Sequence, residues 1–283
     1  MNIKEQLAKN NFQFKHGLGQ NFITDTNLLK AIVQDAEIQE FDNVLEIGAG
    51  AGTLTKEICL ATKGKVIAVE LDKNLKPILE ENLSEFKNLE LKFADILRIK
   101  PNDIKTWFEG KPFKVVANLP YYISTPILFY LLENAFDIKS ITVMLQLEVA
   151  QRLSAKPNSK EYGALTILLE LLGNVTLTRK VTKTLFTPAP KVDSAIVRID
   201  IVPNKYTVQY KEIAPFIKAS FMMRRKTLAN NMMKTYNIDR QQFESACEVC
   251  DIDLNSRAEA LKCEQFIALY KQLNYENALK KRV

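Results

Sequence analysis

Short apolar runs alternate with stretches of helical periodicity through the first 200 residues, and this pattern constrains the fold more than any other feature. Because parallel strands need a crossover between them, usually a helix, the alternation predicts a mostly parallel sheet with helices on both faces. The predicted parallel strands are residues 43–47, 65–71, 89–94, 113–118 and 140–145. Two further alternating runs, 175–182 and 194–202, have no helix between them, so they predict an antiparallel edge and seven strands in all.

After residue 203 the pattern changes to short amphipathic helical periods without β-rich runs. These periods are residues 211–222, 226–235, 240–250, 256–261 and 264–273. We therefore expect two domains, an α/β domain over residues 1–203 and a small all-helical domain over residues 204–283. A chain of 283 residues with 47% hydrophobic residues can bury one large core and a smaller one.

Charge and composition narrow the class of protein. The net charge is +6, and residues 205–283 contribute most of it, with 14 Lys and Arg against 9 Asp and Glu. This excess fits a polyanionic partner, although a solvated basic face without a partner fits the charge nearly as well. No run of about 18 apolar residues occurs and no signal-peptide pattern is present, so we expect a cytoplasmic protein that does not enter a membrane.

The cysteines indicate neither a disulfide framework nor a metal site. Four cysteines are too few for a disulfide scaffold at this length. Cys247 and Cys250 form a C-x-x-C pair in a helical stretch, but a structural zinc site needs four ligands and the single histidine is distant in sequence. We expect no metal, and we expect these cysteines to act as small buried hydrophobic residues.

Three glycines in five residues follow the first predicted strand, at Gly48, Gly50 and Gly52. Glycine lets the backbone turn tightly and lets a ligand approach where a Cβ would collide. The spacing departs from the dinucleotide fingerprint G-x-G-x-x-G, because Thr53 stands at the position of its third glycine. A pyrophosphate cofactor needs the helix N-terminus for its phosphates, whereas S-adenosylmethionine carries none, so the loop favours S-adenosylmethionine.

Acidic side chains end the next two predicted strands. Glu70 closes the second strand, 22 residues after Gly48, where a carboxylate can accept hydrogen bonds from both hydroxyls of a ribose. Asp95 follows the third strand and offers an acceptor for an adenine amino group, and the apolar Ile96 fits either the flank of that adenine or the core. Glu70 could also be a solvent-facing strand end, but with the glycine loop these residues define one crevice at the carboxyl edge of the sheet.

The fourth predicted strand ends in Asn118-Leu119-Pro120-Tyr121, which suits the presentation of an adenine amine to an electrophile. That amine is a poor nucleophile because its lone pair is delocalised into the ring. The Asn118 side-chain oxygen and the Leu119 carbonyl can act as acceptors that localise the lone pair, and Pro120 fixes the turn. Tyr121 offers a ring for base stacking. The alternative is a strand end followed by a proline turn.

These motifs and others along the chain resemble one family. The further motifs are LGQNF at residues 18–22, ISTP at 123–126, FTPAPKVDS at 186–194 and FMMRRKTLANN at 221–231. Together they are similar to the ribosomal RNA adenine dimethyltransferases, in particular to the bacterial KsgA (RsmA) branch. The resemblance covers essentially the whole chain.

The resemblance implies a Rossmann-like methyltransferase fold, S-adenosylmethionine as cofactor, and dimethylation of two adjacent adenosines at N6. Those adenosines lie in a hairpin loop near the 3′ end of small-subunit (16S) ribosomal RNA, and the substrate is the 30S particle. A monomeric protein with a part in small-subunit biogenesis is also implied. Small-subunit ribosomal RNA is therefore the expected partner.

The resemblance also assigns roles to residues. The implied cofactor-binding residues are Asn21, Ile23, Gly48, Gly50, Glu70, Asp95, Ile96 and Asn118. The implied catalytic residues are Asn118, Leu119, Pro120, Tyr121 and Phe186, with Tyr121 and Phe186 on either side of the flipped target adenine. The implied RNA contacts are Arg179, Lys180, Lys183, Lys191, Arg224, Arg225 and Lys226, although the last three could be a solvated helix surface. Tyr122 stands where asparagine is also common in the family, and no role is assigned to it.

Three other functions compete with this one. A dimethyltransferase of large-subunit RNA that confers macrolide resistance would share the crevice, but Leu119, the Asp193-Ser194 pair and residues 224–231 favour the small-subunit branch. A non-catalytic ribosome assembly factor would keep the fold, but the pocket residues are intact. A NAD-dependent oxidoreductase is disfavoured by Thr53.

Overall fold

The structure is a computed structural model that describes residues 5, 9–10, 12–134, 136–275 and 279. The strands are β1 (Phe22–Ile23), β2 (Asn43–Ile47), β3 (Val66–Glu70), β4 (Leu89–Phe93), β5 (Phe113–Asn118), β6 (Ile138–Gln146), β7 (Gly173–Val181), β8 (Phe186–Thr187) and β9 (Ser194–Ile201). The α-helices are α1 (Thr26–Asp35), α2 (Thr53–Ala61), α3 (Lys76–Leu83), α4 (Pro101–Trp107), α5 (Ser124–Glu133), α6 (Leu147–Leu153), α7 (Ala164–Leu172), α8 (Tyr210–Ser220), α9 (Leu228–Thr235), α10 (Arg240–Val249) and α11 (Cys263–Tyr275).

Seven strands form one sheet in the order β4-β3-β2-β5-β6-β9-β7. Strands β2 to β6 are parallel, and β9 runs antiparallel to β6. The mostly parallel sheet of seven strands is therefore confirmed. The chain moves outward from β2 to β4 and then returns to place β5 on the other side of β2, so the strand order reverses between β2 and β5. In open α/β sheets such a switch point opens a crevice at the carboxyl ends of the strands.

Both faces of the sheet are covered. Successive strand residues point to opposite faces, yet the neighbours Val44 and Leu45 in β2 are both fully buried, as are Val115 and Val116 in β5. Burying a branched apolar side chain contributes about 1.5–3 kcal/mol relative to leaving it in water. Packing on both faces thus holds in place the two strands that meet at the switch point, and the crevice opens at their carboxyl ends.

A second, small sheet joins two distant parts of the chain. In it β1 pairs antiparallel with β8, with Phe22 opposite Thr187 and Ile23 opposite Phe186. The carbonyl of Leu185 also accepts a hydrogen bond from the Thr24 amide at 3.2 Å. The N-terminal segment is thereby tied to the loop that precedes β9.

The chain divides into two compact units, and the division differs from the predicted boundary between residues 203 and 204. The first unit comprises Met1–Ala150 and Thr176–Ile201, and the second comprises Gln151–Val175 and Val202–Val283. The segment expected in the α/β domain but found in the second unit contains α7. Three successive residues of α7, Ile167 to Leu169, are fully buried, so this helix is apolar on several sides and needs helical partners such as α8.

In the part of the chain that the structure describes, no helix combines the length and apolar character needed to cross a bilayer.

Candidate functional site

An open cavity lies in the first unit at the carboxyl edge of the sheet. It is lined by residues 18–22, by Ile47, Gly48 and Gly50 after β2, by residues 69–71 and 94–96 after β3 and β4, by residues 118–123 after β5, and by Leu75 and Ile127. The cavity therefore collects the strand-end motifs that the sequence separates by tens of residues.

The glycine loop begins where β2 ends and adopts backbone angles that other residues avoid. The φ angles of Gly48, Gly50 and Gly52 are 82°, 58° and 85°, all in the left-handed region. The Gly48 amide donates to the Val69 carbonyl at 2.8 Å, which holds the loop against β3. Glycine is thus required by the turn itself, and α2 starts directly after it.

Glu70 links the end of β3 to this loop. Its carboxylate accepts hydrogen bonds from the amides of Gly50 and Asp72, each at 2.7 Å. Burial raises the pKa of the Glu70 carboxyl, and these backbone N–H groups oppose that rise. A carboxylate has about four acceptor positions, so these backbone donors do not use all of them and a ligand in the cavity can still donate to Glu70.

The charge of the cavity suits a cationic cofactor without phosphate. Two carboxylates line it, those of Glu70 and Asp95, and none of the described lining residues is a lysine, arginine or histidine. A pyrophosphate would meet two like charges and no positive side chain, whereas a sulfonium cation would meet attraction. The residues present therefore fit S-adenosylmethionine.

Asp95 and Ile96 form the wall after β4. The Asp95 Oδ1 accepts from the Leu97 amide at 3.0 Å and so caps the short 3-10 helix Ile96–Arg98. This bond orients the carboxyl group, whose other oxygen is 3.5 Å from the exposed Arg98 Nε. The Ile96 side chain is 5% exposed and still borders the cavity, which gives a flat apolar surface of the kind that a purine covers.

Asn118 ends β5 with its side-chain amide held in one orientation. Its Nδ2 donates to the backbone carbonyl of Asn21 at 3.0 Å, and the Asn21 side chain in turn donates to the Gly19 carbonyl at 3.2 Å. Since the nitrogen is engaged with the N-terminal segment, the Asn118 Oδ1 is left as an acceptor at the cavity. The Leu119 amide is bonded to the Met144 carbonyl, which fixes the turn that follows.

Tyr121 and Phe186, the residues predicted to flank the target base, are not brought together at the cavity. Tyr121 lines the cavity, and its hydroxyl is 2.5 Å from the Oγ of Ser194. Phe186 does not line it: the side chain is 4% exposed and packs in a hydrophobic cluster with Ile23. The physical reason is the β1–β8 pairing, which turns both Phe186 and Ile23 into the core. Ile23, predicted to bind the cofactor, is also absent from the cavity lining.

The N-terminal segment forms a wall of the cavity that the sequence motifs did not reveal in full. Lys15 and Gln20 bond to the two oxygens of Asp72 at 2.7 and 2.9 Å. Phe22 packs against Phe14, with ring centroids 5.6 Å apart. The LGQNF motif signalled residues 18–22, but the ion pair between Lys15 and Asp72 joins positions 57 residues apart and has no local signature.

Glu46, two residues before Gly48, is a buried acid, and the nearby Thr55 side chain opposes the effect of burial on its pKa. It is 1% exposed, and neither carboxyl oxygen has a hydrogen-bond partner among the described residues. Burial, with a smaller contribution from Glu70, raises the pKa of Glu46 to about 8. With a pKa near this value the carboxyl is mostly protonated at neutral pH.

The residues predicted to contact RNA differ in whether the protein already engages their charged groups. Arg179 pairs with Asp35 at 3.2 Å, and Arg224 bonds to the Lys160 carbonyl and lies 3.4 Å from Glu259. The remaining five predicted contacts are exposed lysines and one arginine without an ion pair among the described residues. They are Lys180, Lys183, Lys191, Arg225 and Lys226.

Comparison with known proteins identifies relatives along almost the whole chain. Proteins named Ribosomal RNA small subunit methyltransferase A from Clostridium botulinum (strain Okra / Type B1) and Enterococcus faecalis (strain ATCC 700802 / V583) are 45% and 40% identical. The alignments cover 94% and 95% of this chain and 96% and 94% of those proteins.

Solved structures share the fold. A dimethyladenosine transferase from Plasmodium falciparum has a TM-score of 0.74 at 24% identity, over 91% of this chain and 98% of that one. The 23S rRNA methyltransferase ErmE has a TM-score of 0.69 at 27% identity, over 90% of this chain and 100% of that one. The family model described as Ribosomal RNA adenine dimethylase matches residues 11–275. With the cavity and its strand-end motifs, these matches confirm the resemblance, and the chain belongs to the ribosomal RNA adenine dimethylase family.

Proposed function

We propose that this methyltransferase uses S-adenosylmethionine to dimethylate N6 of two adjacent adenosines near the 3′ end of small-subunit ribosomal RNA. The observation that carries the proposal is the Asn118 amide. Its nitrogen is bonded to the Asn21 carbonyl, which leaves its oxygen as the acceptor of a residue that lines the same cavity as the glycine loop and both carboxylates. An adenine amine and a cationic methyl donor are the pair of ligands that this arrangement suits.

The cofactor would be held by the walls already described. Glu70 has acceptor positions for the ribose hydroxyls, Asp95 for the adenine amine, and Ile96 would cover the purine ring. Asn21 and the loop at Gly48 and Gly50 would border the methionine end. When bound, S-adenosylmethionine supplies an electrophilic methyl group on a sulfonium.

The protein would contribute to the reaction by accepting hydrogen bonds from the target amine and by preventing unproductive orientations of the reacting groups. The Asn118 Oδ1 and the Leu119 carbonyl accept from the two N–H groups of the target amine, which localises its lone pair. The nitrogen that gains a methyl group becomes acidic and loses its proton to water, so no strong general base is needed. Positioning and electrostatic stabilisation then account for the rate.

The small-subunit substrate is supported by relatives at 40–45% identity that are named for the small subunit, whereas the 23S rRNA enzyme is 27% identical. The RNA would contact the exposed Lys180, Lys183 and Lys191, together with Arg225 and Lys226, and Arg179 and Arg224 would join once their ion pairs exchange for phosphate. The 30S particle as substrate, a monomeric enzyme, a cytoplasmic location and a part in small-subunit biogenesis belong to the same proposal.

The deciding experiment offers radiolabelled S-adenosylmethionine to small subunits that lack the modification and, in parallel, to large subunits. We expect label on the small subunit, mapped to N6,N6-dimethyladenosine at two adjacent positions. Label on the large subunit would favour the macrolide-resistance type of enzyme. Label on neither would leave a non-catalytic assembly factor and refute the proposal.

The cofactor assignment has its own test in calorimetric titration of the free protein with S-adenosylmethionine. Glu70→Gln removes the charge and places an NH2 group against backbone N–H donors, so we expect affinity to fall about 10- to 150-fold, the equivalent of about 1.5–3 kcal/mol. Glu90→Gln, in the edge strand β4 beside Lys65 and Lys92, serves as the control and should bind normally. Equal affinity of the Glu70 variant would contradict the ribose assignment.

A further inference from the structure

Two consecutive tyrosines, Tyr121 and Tyr122, line the cavity at different depths. We propose that Tyr122 stacks on a nucleotide adjacent to the target adenine, while Tyr121 lies beside the target itself. The inference rests on the proposed function and adds to it a residue that positions the RNA strand.

The depth of each ring follows from its contacts and exposure. The Tyr121 hydroxyl is bonded to Ser194, which is fully buried, and burial raises the pKa of the Tyr121 phenol. Tyr122 lines the same cavity, yet its side chain is 56% exposed. Tyr121 therefore belongs to the interior of the cavity and Tyr122 to its rim.

The Tyr122 ring already has a fixed support. A Cβ atom built on Gly19 would lie 3.3 Å from the Tyr122 Cδ1, so the ring rests against the backbone of the N-terminal segment. The φ angle of Gly19 is +59°, which disfavours a larger residue there. One edge of the ring thus lies against the protein, and more than half of the side chain is open to solvent. A ring that is positioned before binding loses less entropy when a base covers it.

A flanking nucleotide is the ligand that such a ring fits. An adenine that is extruded for chemistry leaves the bases next to it without a stacking partner on one face. An aromatic side chain at the rim can restore that contact without reading the identity of the base. Phe186 cannot compete for this position because its side chain is 4% exposed in the core.

The chain offers a matched control for an exposed ring. Of the described aromatic side chains, two are more than half exposed: Tyr122 and Phe41, at 72%. Phe41 precedes β2, at the amino edge of the sheet and so at the opposite end from the cavity. A comparison of Phe41 and Tyr122 variants therefore separates the effect of losing any exposed ring from the effect of losing the ring at the rim of the cavity.

The test measures steady-state methylation of unmodified small subunits by wild type, Tyr122→Ala, Tyr122→Phe and Phe41→Ala. We expect Tyr122→Ala to raise the KM for small subunits roughly 5- to 150-fold with kcat nearly unchanged, the range of one stacked base. Tyr122→Phe and Phe41→Ala should behave as wild type, and the four proteins should bind S-adenosylmethionine with equal affinity. An unchanged KM for Tyr122→Ala, or an equal loss in Tyr122→Phe, would overturn the proposal.

A second substrate identifies the contact. Small subunits reconstituted with RNA that carries an abasic nucleotide on the 5′ or the 3′ side of the target test each neighbour in turn. On one of these two substrates, the KM of wild type should rise by the same factor that Tyr122→Ala causes on normal small subunits. The KM of Tyr122→Ala should rise no further on that substrate, since the base that stacks on the ring is already absent. Additive losses on both substrates would refute the stacking contact. If wild type methylates no small subunit at all, it is the proposed function that fails.

Discussion

At the scale of single residues, the orientation of Asn118 depends on a backbone group nearly a hundred residues away. Its Nδ2 donates to the Asn21 carbonyl, and this bond leaves the Oδ1 as the acceptor that Asn118 can offer at the cavity. The acceptor is part of the peptide backbone, so substitutions at Asn21 that keep the backbone in place keep the contact. The sensitive partner of the pair is Asn118 itself.

Asn118→Ala should abolish most methyl transfer while the fold persists. Removal of one preorganised polar group at a reacting centre costs about 10²- to 10³-fold in kcat, and we expect a loss in this range with a normal circular dichroism spectrum. Asn43→Ala is the control, because Asn43 also donates to a backbone carbonyl, that of Pro112, but at the opposite edge of the sheet. An unfolded Asn118 variant would show that the residue is structural.

Glu46 predicts a pH dependence of stability. Its folded pKa of about 8 lies above the ordinary value of 4.5, so the folded state keeps a proton that the unfolded state has lost between these values. The free energy of unfolding must therefore decrease as pH rises from about 4.5 to 8, by at most about 1.4 kcal/mol per pH unit from this group. Glu46→Gln lacks the titration, so its stability relative to wild type should increase up to pH 8 and then level off.

Urea unfolding of both proteins between pH 5 and 9 checks this, with the exposed Glu85→Gln as control. A stability difference that is independent of pH would show that Glu46 is ionised in the folded protein. The comparison uses a difference between variants because the Glu70 carboxyl also has a raised pKa and contributes to the slope of both.

At the scale of elements, the glycine loop is constrained by its backbone and by the segment that covers it. A Cβ on Gly50 would lie 3.0 Å from the Phe22 ring, whereas a Cβ on Gly110 would meet no atom within 4 Å. Both glycines have positive φ angles, 58° and 71°. A larger residue therefore has a conformational cost at both positions, and a steric cost at Gly50 alone.

Gly50→Ala should lose more stability than Gly110→Ala. Each variant carries the left-handed cost of about 1–2 kcal/mol, and the Gly50 variant must also shift the Phe22 ring, which its Cβ would approach too closely. We expect weaker cofactor binding in the Gly50 variant alone, measured by calorimetry beside urea unfolding. Equal losses of stability and intact binding in both variants would show that the Phe22 contact is easily relieved.

Elements whose sequence pattern has one interpretation were predicted well. The bounds of β2 and β5 match the predicted strands, because both are short, mostly apolar segments that stay buried on both faces. Helix α7 was not predicted, since a segment that is apolar on several sides shows neither the helical nor the strand period.

For the site, strand-end motifs placed Glu70, Asp95 and Asn118 correctly at one cavity. The sequence did not show that Phe186 turns into the core, because this follows from the pairing of β8 with β1, which is 163 residues earlier in the chain. Nor did it show the rim position of Tyr122. Both depend on contacts between distant segments, which local patterns do not encode.

At the scale of the whole molecule, the chain leaves the first unit and re-enters it before the sheet is complete. Residues 151–175 belong to the second unit, and β9 with most of β7 returns to the first. A single cut therefore cannot separate the two units.

Removal of residues 204–283 should consequently give a poorly behaved protein. It would leave α7, with its buried leucines, without the partner helix α8, and exposed apolar surface of this kind promotes aggregation. Size-exclusion chromatography of the shortened chain should show aggregates, with the full chain as reference. A monomeric shortened chain with full affinity for S-adenosylmethionine would show that α7 does not depend on residues 204–283.

The pairing of β1 with β8 also sets an order in time. Phe22 and Ile23 leave the ribosome early, but their partners, Phe186 and Thr187, are synthesised more than 160 residues later. The parallel strands β2 to β6 are all made in between. During translation the parallel sheet can therefore assemble before β1 has its partner strand, which is available only after about two thirds of the chain has been made.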